Sequence, residues 1–263
     1  MRKTVKMPNF QNVTAGGTAT LSCPVGLTYD LMTLKVSGVT NAQLKDIQIR
    51  VNGRVIQEFN DADEIAMLND YYKRGSTPGY VDLWFIRPEL VALKDQRMTA
   101  LGTMDVQTLD ISIDIDGAAA NPVIEAYAVM SEPAPLGVIT KVKRFPLTFA
   151  AGGEQDISNL PMNGARIGAI HLQSSLEISK ARVVVNNVDV FEADAETAAQ
   201  VQNIYQRVSD AASSVFHIDW MLEGDLSQAL ITQGVQDFRI KPTLDAGGQV
   251  NALVEYLDGF NGV

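Results

Sequence analysis

Short runs of alternating apolar and polar residues are the dominant pattern along the chain. Between residues 110 and 116, isoleucine occupies every second position, and Asp or Ser occupies the positions between. Residues 215–220 alternate in the same way, with His217 and Asp219 on the side opposite Ile218. Runs of period two predict half-buried strands, and we expect roughly seven or eight strands in each half of the chain. The pattern predicts an all-β protein built from β-sandwiches.

Short helices interrupt these strands at similar places in both halves. Asn60 precedes a cluster of acids at 61–64, and Gly75 follows the last periodic residue, as expected for a capped helix. Asp194 is the corresponding capping residue in the second half. The pattern predicts four helical segments, at about 61–73, 88–98, 194–207 and 225–233.

The order of these elements repeats once along the chain. Val51-Asn52-Gly53 is echoed by Val185-Asn186-Asn187, 134 positions later, and each tripeptide stands between a β-rich run and a helix. Ala15-Gly16-Gly17 is echoed by Ala151-Gly152-Gly153 at an offset of 136. Asn-Gly favours a type I′ hairpin turn, because both central residues need a positive φ. A colinear series of matches indicates a duplicated domain.

The join between the copies falls in the proline-rich stretch 131–135, which is suited to a short stiff connector. We predict an N-terminal domain over 1–134 and a C-terminal domain over 135–263. Antiparallel Greek-key sandwiches, jelly rolls among them, fit this description, and the pattern alone leaves the choice among them open.

Composition and charge narrow the range of functions. Apolar residues make up 46% of the chain and charged residues 20%, the balance of an ordinary globular protein. The net charge is −10, and the acidity is spread over both halves, so we do not expect direct binding of nucleic acid. The single Cys23 is expected to be a buried, inert thiol. For Arg2, Lys3 and Lys6 we expect a flexible solubilising tail, with contact to anionic lipid or an acidic partner as the alternative.

The residues that carry catalytic chemistry do not form a recognisable motif. His171 and His217 lie in strand patterns without a zinc-like spacing of ligands, so we expect both to be packed or interfacial. No Gly-x-Ser-x-Gly elbow occurs. We predict no enzymatic activity, no catalytic residues and no organic cofactor, and a hydrolase with two paired carboxylates stays open as an alternative.

One acidic strand is a weak candidate for a structural calcium site. Asp114 and Asp116 lie on one strand face, about 7 Å apart along the strand. Carboxylate oxygens suit Ca²⁺, provided that another loop or subunit supplies further ligands. The alternative is a solvated or salt-bridged face.

Several stretches, in order from about residue 37 to 256, resemble the major capsid protein of corticovirus-type bacteriophages, which are tailless, icosahedral and carry an internal membrane. The matching stretches are 37–40, 87–89, 96–98, 100–103, 114–116, 118–120, 166–167, 169–171, 218–225, 236–237 and 254–256. The longest reads Ile218-Asp219-Trp220-Met221-Leu222-Glu223-Gly224-Asp225. The segment before residue 37 and the stretch 138–163 match poorly.

This resemblance implies a double jelly roll, with two eight-stranded sandwiches and short flanking helices in one chain. It implies a major capsid protein in which three chains form a pseudo-hexagonal homotrimer within an icosahedral shell over a membrane. The implied partners are the chain itself, neighbouring trimers, and minor capsid, vertex and membrane proteins, with the base of the trimer close to the membrane surface. The implied location is the outer capsid layer of the virion, after synthesis in the bacterial cytoplasm. Calcium-dependent particle stability in that family adds interest to Asp114 and Asp116.

In such an assembly we expect the loops at two turns to be interface candidates. The residues are Arg87 and Glu89 in the first half, and Glu223 and Asp225 in the second. A lectin-like or receptor-binding sandwich remains the alternative, and a β-sandwich hydrolase with paired carboxylates is a third hypothesis. Only Trp84 and Trp220 are available as tryptophans for sugar binding, and both lie in strand patterns.

Overall fold

The computed structural model describes residues 2–263, and the chain divides into two compact units between Val142 and Lys143. Residue 1, with which the predicted first domain begins, lies outside the described residues. The predicted boundary at 134/135 precedes this division, and strand β10 (Ile139–Phe149) contains it. The exact domain boundary stays a prediction.

The first unit is built mainly from strands, with two short helices. Its elements are β1 (Lys3–Lys6), β2 (Thr18–Cys23), β3 (Thr28–Ser37), a 3-10 turn (Asn41–Gln43), β4 (Leu44–Val51), β5 (Arg54–Asp61), α1 (Ala62–Tyr71), β6 (Tyr80–Trp84), α2 (Leu93–Met98), β7 (Leu101–Gly102), β8 (Leu109–Ile115) and β9 (Val123–Ser131).

The second unit repeats this order. After β10 its elements are β11 (Gly153–Glu154), β12 (Arg166–Ser174), β13 (Ile178–Val185), β14 (Val188–Asp194), α3 (Ala195–Ile204), β15 (Val215–Asp219), a 3-10 turn (Leu226–Gln228), β16 (Leu230–Ile231), β17 (Phe238–Leu244) and β18 (Gly248–Asp258).

The strand order is the same in both units. In the first unit, one sheet runs β1-β9-β3-β6 and the other β2-β8-β4-β5, with the two-residue β7 beside β3. In the second unit the corresponding orders are β10-β18-β12-β15 and β11-β17-β13-β14, with β16 beside β12. Each unit therefore has eight principal strands in jelly-roll order. The all-β double jelly roll and the duplication are both confirmed.

The alternation predicted for 110–116 is present in β8. Ile111, Ile113 and Ile115 are buried, whereas Asp114 and Asp116 are partly exposed. Burial of one face is what fixes the register of a strand in a sandwich.

Strand β15 departs from its predicted pattern, because His217 and Asp219 are buried together with Phe216 and Ile218. The expectation of one solvated face was wrong for this strand. On the face that the alternation left to solvent, His217 contacts the buried His171 of β12 and Asp219 accepts from the buried Arg207, so both polar side chains have partners within the unit.

The main helix of each unit occupies its predicted position with shorter bounds. The cap of α1 is Asp61 rather than Asn60, since the Asp61 carboxylate accepts from the Glu64 amide. The Asp194 cap of α3 is confirmed by its bond from the Thr197 amide.

Both helices end through a residue with positive φ, Lys73 in one and Gln206 in the other, and the next amide bonds back to the fifth residue before it. This Schellman-type ending satisfies the last carbonyls without a glycine at that position. Gly75 therefore lies two residues beyond Lys73, the residue whose positive φ ends the turn.

The two secondary helices are shorter than predicted. Of the predicted 88–98 segment, only α2 at Leu93–Met98 is helical. The predicted helix at 225–233 is wrong, because a 3-10 turn at Leu226–Gln228 is followed by β16, which pairs with β12. The β-branched Ile231 lies in that pairing, and tertiary strand pairing has overridden the local helical signal.

The hairpin signals are confirmed in both units. Asn52 and Gly53 have φ of 48° and 78°, and Asn186 and Asn187 have φ of 48° and 64°. The Asn52 and Asn186 side chains each also accept two backbone N–H bonds from the loop before the seventh principal strand. The hairpin turn is thereby tied to a second loop in the same way in both copies.

The basic start of the chain is a strand rather than the flexible tail that we expected. Residues Lys3–Lys6 form β1, which pairs antiparallel with β9. Arg2 forms an ion pair with the buried Asp30 at 3.1 Å, and Lys6 pairs with Glu125. Acidic partners within the same unit hold these charges in place.

Candidate functional site

The predicted interface residues Arg87 and Glu89 lie inside the first unit. Glu89 accepts two hydrogen bonds from the Arg74 guanidinium, at 2.8 and 3.0 Å, and lies 3.0 Å from Arg87 Nε. Both guanidinium groups lie over the Tyr72 ring, at 4.5 and 5.1 Å from its centroid. The side chains of Arg87 and Glu89 are almost fully buried. Their interface role stays a prediction, and this burial argues against it.

The buried Glu89 remains ionised because of its two arginine partners. Burial of the carboxylate opposes ionisation, but the charges of Arg74 and Arg87, together with the hydrogen bonds from Arg74, hold the pKa of Glu89 below its ordinary value. A buried carboxylate between two guanidiniums fixes their orientation over Tyr72. The cluster therefore holds the segment after α1 against the 87–89 turn of the same unit.

The other two interface candidates lie in an exposed turn of the second unit. Glu223 accepts from Gln228 at 2.6 Å, and Asp225 caps the 3-10 turn through the Ser227 amide at 2.8 Å. Both residues are exposed. Their interface role stays a prediction that is compatible with this placement.

The two candidate calcium ligands already have partners within the first unit. Asp114 accepts from the Thr18 hydroxyl at 2.6 Å. Asp116 pairs with Lys45 and accepts from the Ala118 amide, and the hydrogen bond from Lys45 is the main cause that lowers the pKa of Asp116.

Over residues 2–263, no group of three or more His, Cys, Asp or Glu side chains is placed to hold a metal ion. The side chains of one unit therefore do not fit a complete calcium site, and calcium binding stays a prediction.

The two histidines, which the sequence did not bring together, are neighbours in the second unit. His171 on β12 lies directly opposite His217 on β15, and their Nδ1 atoms are 2.7 Å apart. One ring must donate and the other accept across this contact. His171 Nε2 lies 3.0 Å from Glu255 Oε1, and all three side chains are buried. The expectation that the histidines are packed is confirmed.

Burial of this cluster affects its titration. Desolvation, followed by the nearness of His171, lowers the pKa of His217 well below its ordinary value, and Glu255 acts in the opposite direction.

Cys23 is also buried, as predicted, and desolvation raises the pKa of its thiol to about 12. A thiol with that pKa is not a nucleophile at neutral pH.

Comparison with known proteins assigns the chain to a family. Family models of the viral coat protein P2 match it, the N-terminal domain over residues 4–131 and the C-terminal domain over residues 139–260. The major capsid protein P2 of Pseudoalteromonas phage PM2 is 32% identical over 266 residues, which cover 98% of this chain and 97% of that protein. The chain belongs to the viral coat protein P2 family.

Solved structures agree with this assignment. The crystal structure of the major capsid protein P2 from bacteriophage PM2 superimposes with a TM-score of 0.94 at 29% identity, over the full length of both chains. A chain of Sulfolobus turreted icosahedral virus gives a TM-score of 0.72 at 13% identity, and covers 99% of this chain and 92% of that chain. The second match, at low identity, shows a shared fold.

As a member of the P2 family, this coat protein is a structural protein and not an enzyme, as predicted. The assignment replaces the hydrolase and lectin-like hypotheses. A groove of about 430 Å³ beside α1 does hold two carboxylates, Asp70 and Asp82, but Asp70 accepts from Ser76. Both tryptophans are half-buried, and Trp220 packs against the core of the second unit.

Within residues 2–263, none of the helices of the coat protein combines the length and the apolar character that a membrane crossing needs.

Proposed function

We propose that this chain is the major capsid protein of a tailless, membrane-containing bacteriophage and forms the shell as homotrimers. The single observation that carries the proposal is the duplication, because each chain contributes two jelly rolls with identical strand order. Three such chains bring six similar lobes around one axis. A trimer with six similar lobes fits a lattice position that has six neighbours, although its three chains are related only by a three-fold axis.

Exposed apolar side chains support association of this chain with other copies. Val91 is 80% exposed, Leu93 69% and Ile204 65%, and none of these has an evident role in the core of its own unit. Large exposed apolar side chains in groups mark interaction surfaces rather than ordinary solvated surface. An assembling coat protein requires such surfaces on both of its lobes.

The proposal places the chain in the outer layer of the virion, after synthesis in the host cytoplasm. Neighbouring trimers, minor capsid proteins, vertex proteins and membrane proteins are its proposed partners, by resemblance to the family. Closeness of the tile to the membrane is part of the same proposal. Arg2 and Lys6 add little to it, since each already pairs with a carboxylate of its own unit, Lys6 with Glu125 and Arg2 with the Asp30 that it shares with Arg97.

Electron microscopy of negatively stained, purified protein tests the proposal. We expect single particles with a three-fold outline and six lobes of similar size, because each chain supplies two units of one fold. Particles that show two lobes under every condition would contradict a trimeric tile. Addition of calcium, or of a chelator, before staining tests in the same experiment whether the ion contributes to assembly.

A further inference from the structure

The end of α3 presents an apolar surface that its own unit does not cover. Four apolar residues at this end are exposed. They are Val201 and the residues three, four and seven positions after it, Ile204, Tyr205 and Val208. Spacings of three and four place Val201, Ile204 and Tyr205 on one side of the last turn of α3, and Val208 follows the turn at Gln206 that ends the helix. We call these four residues the α3 stripe.

Three of the four equivalent positions in the first unit are buried, and the fourth, which corresponds to Val208, is the exposed Gly75. At an offset of 133, Leu68, Tyr71 and Tyr72 of α1 correspond to Val201, Ile204 and Tyr205. The guanidiniums of Arg74 and Arg87 cover the Tyr72 ring.

Arg207 is the counterpart of Arg74, but its guanidinium is directed inward in the second unit. It bonds to the Asp219 carboxylate at 3.0 Å and to the Met221 carbonyl at 2.8 Å. The C-terminal end of the helix is therefore covered by arginine side chains in the first unit and exposed in the second.

The composition around the α3 stripe fits a protein partner better than a lipid surface. Residues 197–206 contain no charged side chain, although 20% of the whole chain is charged. Helices that lie on membranes carry Lys and Arg along the polar side, whereas the centres of protein interfaces are depleted in charge and enriched in aromatic residues. A neutral stripe that includes Tyr205 has the second character.

Ring closure determines what kind of surface the stripe meets on another copy. Contact of the stripe with the same stripe would relate two chains by a two-fold axis and would close as a dimer. A three-fold ring needs a heterologous contact, in which the stripe meets a different surface of the next chain. This step rests on the proposed trimer.

The segment 91–104 of the first unit offers a matching surface. It contains Val91, Leu93, Met98 and Met104, all of which are at least half exposed. Together with the α3 stripe, these side chains expose on the order of 800 Å² of surface, close to the apolar part of a standard interface of about 1,600 Å². Neither surface alone approaches that area.

We propose that the α3 stripe of one chain packs on the segment 91–104 of a second copy, and that this contact, repeated three times, holds the trimer together. Both surfaces are present on every chain, so each chain is a donor to one neighbour and an acceptor from the other. The contact leaves the buried Arg74–Glu89 cluster intact.

Light scattering of charged variants tests the contact. Ile204→Lys and Leu93→Lys each place an unpaired charge in the proposed interface. We therefore expect the protein concentration at which half of the trimer dissociates to rise at least tenfold. Tyr205→Ser should act in the same direction without adding charge. Ile231→Lys is the matched control, because Ile231 is an exposed isoleucine in the same unit outside the stripe. Far-UV circular dichroism verifies that each variant is folded.

A charge pair makes the test specific for direct contact. Ile204→Lys and Leu93→Glu should each weaken the trimer on their own. The double variant that carries both changes should recover at least part of the lost trimer. No recovery would contradict a contact between these two side chains.

If the wild type and the folded Ile204→Lys variant are both trimeric, the inferred contact is wrong and the proposed function still stands. Monomeric wild type would overturn both. Binding of wild type, but not of Tyr205→Ser, to phosphatidylglycerol vesicles, with unchanged trimer mass, would assign the stripe to lipid and overturn the inference.

Discussion

Leu68 and Val201 occupy the same position in two copies of one helix, yet Leu68 is 6% exposed and Val201 is 39% exposed. The adjoining helix ends differ as well, since Arg74 and Arg87 cover the Tyr72 ring at the end of α1, whereas Arg207 turns toward Asp219. A duplicated fold has thus acquired different roles for equivalent surfaces. One helix end serves the core of its unit, and the other is available for assembly.

This difference predicts opposite outcomes for the same substitution. Leu68→Asp places a charge in the core of the first unit and should cost at least about 3 kcal/mol of the free energy of unfolding. Val201→Asp should leave the folded units intact and only weaken association. Urea unfolding of both variants, followed by circular dichroism, measures the effect. Equal midpoints would contradict the assigned burial.

The Glu89 carboxylate is expected to be essential for the stability of the first unit. Glu89→Gln removes the carboxylate that Arg74 and Arg87 share in a buried cluster, which should cost about 3–5 kcal/mol. The exposed pair Lys180–Glu192 provides the control, and Glu192→Gln should leave the urea midpoint unchanged. A similar small effect of both changes would show that Glu89 does not hold the cluster.

The histidine pair predicts a dependence of stability on pH. Because the pKa of His217 is lowered in the folded state, the unfolded chain binds more protons below the ordinary value of 6.5. The contribution of His217 is therefore present above pH 6.5 and is lost as the pH falls below it, by at most about 1.4 kcal/mol per pH unit.

Urea midpoints at about pH 7.5 and about pH 5.5 measure this dependence, with His217→Gln as the control that cannot titrate. The fall should be smaller in His217→Gln than in wild type. Equal falls in the two proteins would show that carboxylates, and not this histidine, account for the pH dependence.

The hairpin asparagines predict a fourth effect on stability. Asn186→Ala removes a residue that tolerates positive φ and also the acceptor for two backbone N–H groups, so we expect a loss of about 1–3 kcal/mol. Asn187→Gly is the matched change at the next residue, and it should be neutral or slightly stabilising because Gly53 occupies that place in the first unit. Thermal unfolding measures both. A larger loss for Asn187→Gly would contradict this reading of the turn.

The Asn52-Gly53 hairpin turn and the Asp194 cap could be predicted from the local pattern, because turns and caps depend on residues that are close in sequence. The duplication was predicted from colinear matches between the two halves, and the double jelly roll from the resemblance to a known family. The pairing of His171 with His217 depends on the register of β12 against β15, which periodicity does not determine. The burial of Arg87 depends on an ion cluster that links it to Arg74 through Glu89. A proline turn such as 87–89 indicates a loop but not whether that loop is folded inward.

The mass of the purified chain in solution is the most direct test of the central claim. Light scattering over a range of concentrations should give three times the chain mass of 28.5 kDa, with larger species as the protein assembles further. A mass of 28.5 kDa at every concentration, with and without calcium, would contradict the trimeric tile.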